Sequence, residues 1–372
     1  MFTLITISNA GGVSGAGSNI PIMLIFFNLS MKESVPLSAF VGCVATLFRF
    51  ALNYSQKHPH RPERNTINYE VIEITMPAVF LGTFIGVILN QICPEMIKVT
   101  VFGVTVAWSL QTTHMKYLQL KEKERKIAAG EFTGGTSAKL LEEHDMEKNT
   151  IEADTPDMRK IKVEESQHFT AERVVFIVLC FSILFGTQII YKQPDLDATK
   201  QRLVFGLFTF AMLGITYNRV HKIKKIHEVK ARDNYNFDDH DTRFDSFQDV
   251  LTLSAFCMIA AILCGLTGIA GGMVLGPLFL KYNMLPSVMS GTNQYITMVA
   301  SISVASQFIY INFMNYYFAA LFGVIALVSA FTGITVVNKI VAKSGKQSII
   351  AGLLVIVLLS ALISLPLNYL LR

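Results

Sequence analysis

Between Val250 and Leu371 the chain holds no aspartate and no glutamate, and its only basic residues there are Lys281, Lys339, Lys343 and Lys346. A soluble domain of that length cannot keep its surface so free of charge. Composition agrees: of 372 residues, 52% are hydrophobic and 16% charged, against about a quarter charged in soluble domains. The chain therefore reads as an integral, multi-pass membrane protein.

Apolar runs of the membrane-spanning length fall at 1–29 (broken), 36–54, 71–92, 96–118, 172–191, 202–220, 250–284 (broken), 287–311, 316–341 and 347–371. The expected fold class is thus all-α, with about ten hydrophobic segments in two repeated four-segment halves. Residues 1–118 form the first membrane repeat and 250–372 the second. Between them lie a polar loop at 119–171, a two-helix bridge at 172–220 and a second polar loop at 221–249. The stretch from His114 to Thr170 carries 10 Lys/Arg and 12 Asp/Glu without a sustained apolar period. It opens with a charged helical extension, Lys116 to Lys126, and then reads as flexible.

Each half opens with a glycine-rich break that runs into a proline. The first is Gly11-Gly12-Val13-Ser14-Gly15-Ala16-Gly17-Ser18-Asn19-Ile20-Pro21, and the second is Gly265-Leu266-Thr267-Gly268-Ile269-Ala270-Gly271-Gly272-Met273-Val274-Leu275-Gly276-Pro277. Paired Gly/Pro interruptions at corresponding places in two halves point to a transporter's binding site. Backbone leaves helical geometry at membrane depth only where protein or a wet cavity satisfies it. Proline suits the first turn of a new half-helix, whose free N–H groups make an anion cradle. Ser14, Ser18 and Asn19 add donors in the first half. A second duplicated feature follows each break: Ser38 in the first half and Thr292 in the second, with Asn293 and Gln294 beside Thr292. Helix capping by hydroxyls is the competing reading for those two. For Gly82 and Gly86, tight helix packing is the preferred role.

Two topologies remain open. Spanning breaks make the halves parallel; re-entrant breaks make them inverted. Positively charged loops collect on one side of a membrane. Both schemes put the loops 55–68, 114–171 and 219–249 on one face, and only the re-entrant one adds Lys339, Lys343 and Lys346. The missing counterparts of Val250 to Phe256 in the first half suggest an N-terminus that is shortened or incomplete. Arg49 either snorkels to the basic face or attracts an anion, and snorkelling is the favoured reading. Glu73 reads as either a proton carrier or an interfacial residue, and its position close to Glu70 favours the interface. His58-Pro59-His60 reads as a solvated loop and the five cysteines as packing residues. No catalytic residue, metal site, cofactor or nucleic-acid partner is expected.

With these residues on view, the chain resembles the TauE/SafE sulfite-exporter family, an anion permease family, and especially its eukaryotic branch. Beyond the two breaks and the hydroxyl that follows each, the resemblance rests on Asn53-Tyr54, His58-Pro59, Ile67-Asn68-Tyr69, the run from Pro77 to Asn90, and Pro94-Glu95. It implies a polytopic protein that moves sulfur-containing oxyanions such as sulfite or organosulfonates. It also implies that Gly12, Gly15, Pro21 and Ser38, with Gly268, Gly271, Gly272, Pro277 and Thr292, border the substrate path. The expected partners are a small oxyanion and membrane lipid. The alternative is a non-transporting structural subunit of a larger membrane assembly, held to its partners through the polar loops.

Overall fold

The computed structural model describes residues 6, 16–58, 61, 63–128, 155–193, 197–233, 235, 247–269, 271, 274–275, 279, 284, 286–344, 348–349, 352, 355–356 and 358–363. Among these the structure is helical, and an isolated antiparallel bridge joins Lys57 to Asn65. The helices are α1 (Ala16–Phe26), α2 (Met31–Asn53), α3 (Tyr69–Ile92), α4 (Glu95–Ala128), α5 (Pro156–Ser166), α6 (Ala171–Tyr191), α7 (Ala198–Arg232), α8 (Phe247–Thr267), α9 (Pro286–Tyr310) and α10 (Tyr316–Ser344). Further helical residues lie from 348 to 363.

Six of these helices are long and apolar enough to cross a membrane: α2, α3, α6, α7, α8 and the first 18 residues of α10. Among the described residues that is fewer than the ten segments expected, and the first, seventh and last of those segments are described only in part. α9 shows one reason, because it buries Thr292, Asn293, Gln294, Thr297, Ser301, Ser303 and Gln307. Its apolar character is diluted by an internal polar stripe.

Local sequence sets several helix ends. α2 starts five residues ahead of the expected 36, because Ser30 and Glu33 form a capping box that satisfies two N–H groups reciprocally. Asn68 caps α3 by accepting from Val71 N. α5 lies inside the stretch expected to be flexible. Thr155 accepts from Met158 N and Pro156 takes the first helical position, where its missing N–H costs nothing.

The most extensive helix contact joins α3 to α8. It is a backbone contact made by glycines. A Cβ added to Gly82 would stand 2.4 Å from the Met258 carbonyl oxygen, and one on Gly86 would stand 2.5 Å from that of Ile262. On the facing helix, a Cβ on Gly265 would stand 2.8 Å from the Gly86 carbonyl carbon. Small residues let membrane helices approach this closely, so Gly82 and Gly86 serve packing, as their spacing suggested. Gly265, grouped above with the second break, belongs to the same seam.

α2 packs on α9 and α10, and α3 packs on α9 as well. Contacts at the helix ends give the chain directions. Asn53, at the end of α2, donates to Gln294 Oε1 near the start of α9 at 3.3 Å. Thr292 accepts from Asn68 N at 2.9 Å. At the other end of the bundle, Met31 N donates to Glu95 at 3.0 Å, and Gln188 to the Gln307 carbonyl at 3.2 Å. α2 and α9 therefore run antiparallel. α3 and α8 run side by side in the same direction, so the start of α8 and the start of α9 lie at one end of the bundle. Ser348 N donates to Glu124 at 2.8 Å, which puts the end of α10 there too.

A charge network binds that end. Lys230 is 2% exposed and bonds to Glu70 and Glu165, each at 2.7 Å. Arg64 reaches Glu165 at 3.3 Å, and Glu73 meets Arg219 at 3.2 Å and Arg173 at 3.5 Å. Thr155 donates to Asp233, and Asn65 donates to the Ser166 carbonyl at 2.9 Å. Glu73 is thus a buried member of this network. His58 is also buried, at 5% exposed, with its N–H on the Arg64 carbonyl, which corrects the solvated-loop reading. His168 is buried too and accepts or donates at Tyr69 Oη at 2.8 Å; burial holds its pKa below the usual histidine range.

Gly86→Ala should lower stability by about 1–3 kcal/mol through overpacking. Gly206→Ala, where an added Cβ meets nothing within 4 Å, should be neutral or slightly stabilising. Denaturant melts of the two purified variants compare them directly. For topology, single cysteines at Gln56, Lys160 and Lys225 in a cysteine-free background should label from one side of a vesicle. Single cysteines at Asn28 and Asn312 should label from the other. Labelling of Gln56 and Asn28 from the same side would refute the chain directions.

Candidate functional site

The second break meets the first half directly. Gly268 has φ +69°, a left-handed conformation that glycine adopts without penalty. A Cβ there would stand 2.9 Å from Ile20 Cδ1 and 3.3 Å from Val35 Cα. The end of α8 is thereby wedged between α1 and the first turns of α2.

Free carbonyls at that helix end are satisfied by side chains from the other half. Ser38 Oγ donates to the Gly268 carbonyl at 3.0 Å, and Asn90 Nδ2 to that of Leu266 at 2.8 Å. The hydroxyl proton of Ser38 is thus committed to the break itself. Three residues later, Gly271 accepts from Val274 N and Leu275 N, each at 3.0 Å. Gly271 is buried, yet a Cβ added to it would meet nothing within 4 Å.

Around this wedge, polar groups are buried without partners among the described residues. Asn19 is fully buried, and neither atom of its amide has a hydrogen-bond partner. Ser34 Oγ, one turn before Ser38 on α2, and Asn90 Oδ1 are also unpartnered. Each such group carries a desolvation cost of about 1–3 kcal/mol, so their gathering at one place calls for an explanation. Asn19, Ser38, Gly268 and Gly271 come from the sequence-derived set. Ser34 and Asn90 do not; their types and spacing are ordinary for a membrane helix, and their burial shows only once the halves are docked.

Thr292 and Asn293 are buried as well but lie elsewhere. Thr292 sits at the cap of α3 through Asn68, beside the Asn53–Gln294 pair. Ser38 precedes Asn53 by fifteen residues, roughly 22 Å of helix. The two hydroxyls therefore stand at different depths along the α2–α9 contact. Pro21 is buried inside α1. Gly12, Ser14, Gly15, Gly272, Pro277 and the Ser18 side chain lie outside the described residues.

Comparison with known proteins gives a consistent picture. A family model described as Sulfite exporter TauE/SafE matches residues 167–364. "Sulfite exporter TauE/SafE family protein 1" of Arabidopsis thaliana is 28% identical over 364 residues, covering 94% of this chain and 78% of that protein. Family protein 2 of the same plant is 24% identical, with 94% and 77% covered. Family protein 5 is 26% identical, again with 94% and 77% covered. No solved structure matches. Helices of spanning length, a Gly/Pro break lodged against the opposite half, and a match over more than half the sequence make this integral membrane protein a member of the sulfite exporter TauE/SafE family.

Proposed function

We propose that this chain moves small sulfur-containing oxyanions, of the sulfite or organosulfonate type, across a membrane by alternating access between two inverted repeats. The observation that carries the reading is the wedge at Gly268, with open space beside the buried Gly271 and the unpartnered amide of Asn19 next to it. A re-entrant break whose backbone and small polar groups face a cavity is how transporters of this type build a midplane site.

The repeat reading assigns α2 to α9 and α3 to α10. Their opposite chain directions support inversion, as do the packing pairs. α2 with α10 and α3 with α9 are the same contact with the halves exchanged. In this scheme residues 1–118 and 250–372 are the two repeats and 172–220 the bridge. Gly12, Gly15 and Pro21 are then the first-half counterparts of Gly268, Gly271 and Pro277, with Ser14 and Ser18 added in the first break and Gly272 in the second. Thr292 and Asn293 close the path at the charged end of the bundle, as Ser34 and Ser38 do near the other. Moving α1 against α8 opens one end or the other. In the described part of the polar stretches, Asp157 lies 3.8 Å from Arg232 and Glu165 lies 2.7 Å from Lys230.

Proteoliposome flux of labelled sulfite tests this reading, with sulfate, thiosulfate and an alkylsulfonate as competitors. Gly271→Leu should fold, since its side chain enters open space, and should reduce flux severely by filling that space. Gly268→Ala should instead lose about 1–3 kcal/mol of stability, from its positive φ and its contact with Ile20. Wild-type flux in a well-folded Gly271→Leu protein, or no anion flux in the wild type, would overturn the proposal.

A further inference from the structure

Beyond its first turn, α2 carries a single charged residue, Arg49. It does not snorkel: it is 5% exposed, and among the described residues its Nε has no hydrogen-bond partner. Among the described residues no carboxylate pairs with it, whereas Arg173, Arg219 and Lys230 each bond to one or two glutamates. A buried guanidinium without a counter-charge is strongly disfavoured. A residue of this kind inside a membrane span marks a substrate path by default.

Helix register identifies what faces it. Asn53 meets Gln294, and α2 and α9 run antiparallel. One turn back along α2 is Arg49, and one turn forward along α9 is Thr297. Thr297 is 4% exposed, and among the described residues its hydroxyl has no partner. One further turn along the same stripe lies Ser301, 2% exposed. An unpaired cation and an unpaired hydroxyl thus occupy facing stripes of the contact that crosses between the two halves.

Resting on the transport reading above, we infer that Arg49 and Thr297 form an anion-binding position on the substrate path, nearer the charged end than the Gly268 wedge. The guanidinium offers a planar fork of N–H donors that fits two oxygens of one anion, and the hydroxyl supplies a further donor. The ligand class is a compact oxyanion with at least two oxygens on one face, such as sulfite, sulfate or the head of a sulfonate. A spherical halide cannot use the fork. The arriving anion supplies the missing counter-charge, so Arg49 is costly to the empty protein and favourable to the loaded one.

The test uses the full chain in lipid nanodiscs and reads melting temperature against sulfite, sulfate, ethanesulfonate, acetate and chloride at matched ionic strength. Labelled sulfite flux in proteoliposomes runs alongside. R49Q should weaken oxyanion binding roughly tenfold or more, while its ligand-free melting temperature stays level or rises. R49K, which keeps the charge and loses the fork, should fall between R49Q and wild type, and T297A should weaken binding several-fold. Should R49Q fail to accumulate, R49K and T297A decide the matter by the same criteria. Wild-type oxyanion affinity in folded R49Q, or in both R49K and T297A, overturns the inference while leaving transport intact. An Arg49-dependent shift with acetate or sulfate, but no sulfite flux in the wild type, supports the site and overturns the transport reading. A wild-type protein that none of these anions shifts overturns both.

Discussion

The backbone-to-backbone seam between α3 and α8 is the contact on which the rest of the bundle depends. Glycines at 82, 86 and 265 remove the side chains that would otherwise hold the two helices apart. Because α8 lies so close to α3, its last turn comes within reach of Asn90, and Gly268 reaches the gap between α1 and α2. A single methyl group at Gly86 would displace the helix whose end forms the wedge. The energy of the seam is dispersion and backbone approach rather than hydrophobic transfer, since lipid is as apolar as leucine.

Polarity is arranged in two regimes. At the charged end, cations and carboxylates neutralise one another, and Lys230 is buried because two glutamates receive it. Along α2 and α9 the polar groups are mostly uncharged, and several are left without partners. Networks at the charged end tie Arg64, Asn65, α5, the start of α6 and the end of α7 together. The unpartnered groups between the halves leave the middle of the molecule dependent on whatever occupies it.

Much of this was legible in the sequence, and the exceptions have physical causes. The charge-free stretch after Val250 required a membrane, and the Gly82–Gly86 spacing announced a packing face. Its partner Gly265 was hidden within the glycine-rich break, because a glycine that receives a neighbour and a glycine that permits an unusual φ look alike in one dimension. α5 was missed although Thr155-Pro156 is a recognisable helix start, since the surrounding charge suggested disorder. The bond from Ser38 Oγ to the Gly268 carbonyl joins positions 230 residues apart, and no spacing in the sequence announces it. Arg49 could not be placed from sequence, because snorkelling and burial differ only in what surrounds the side chain.

The helices of the first half complete their contacts mainly with helices of the second. Hydrogen bonds that join them span 176, 224, 230 and 241 residues of chain. Such contacts form late, because the loop between their ends must close first. During synthesis the first four helices enter the bilayer before α8, α9 and α10 exist. The glycine face of α3 then meets only lipid, or a passing helix of another protein. Biogenesis of this fold therefore includes an interval in which its most adhesive surface is unguarded, and the length of that interval is set by the ribosome rather than by the fold.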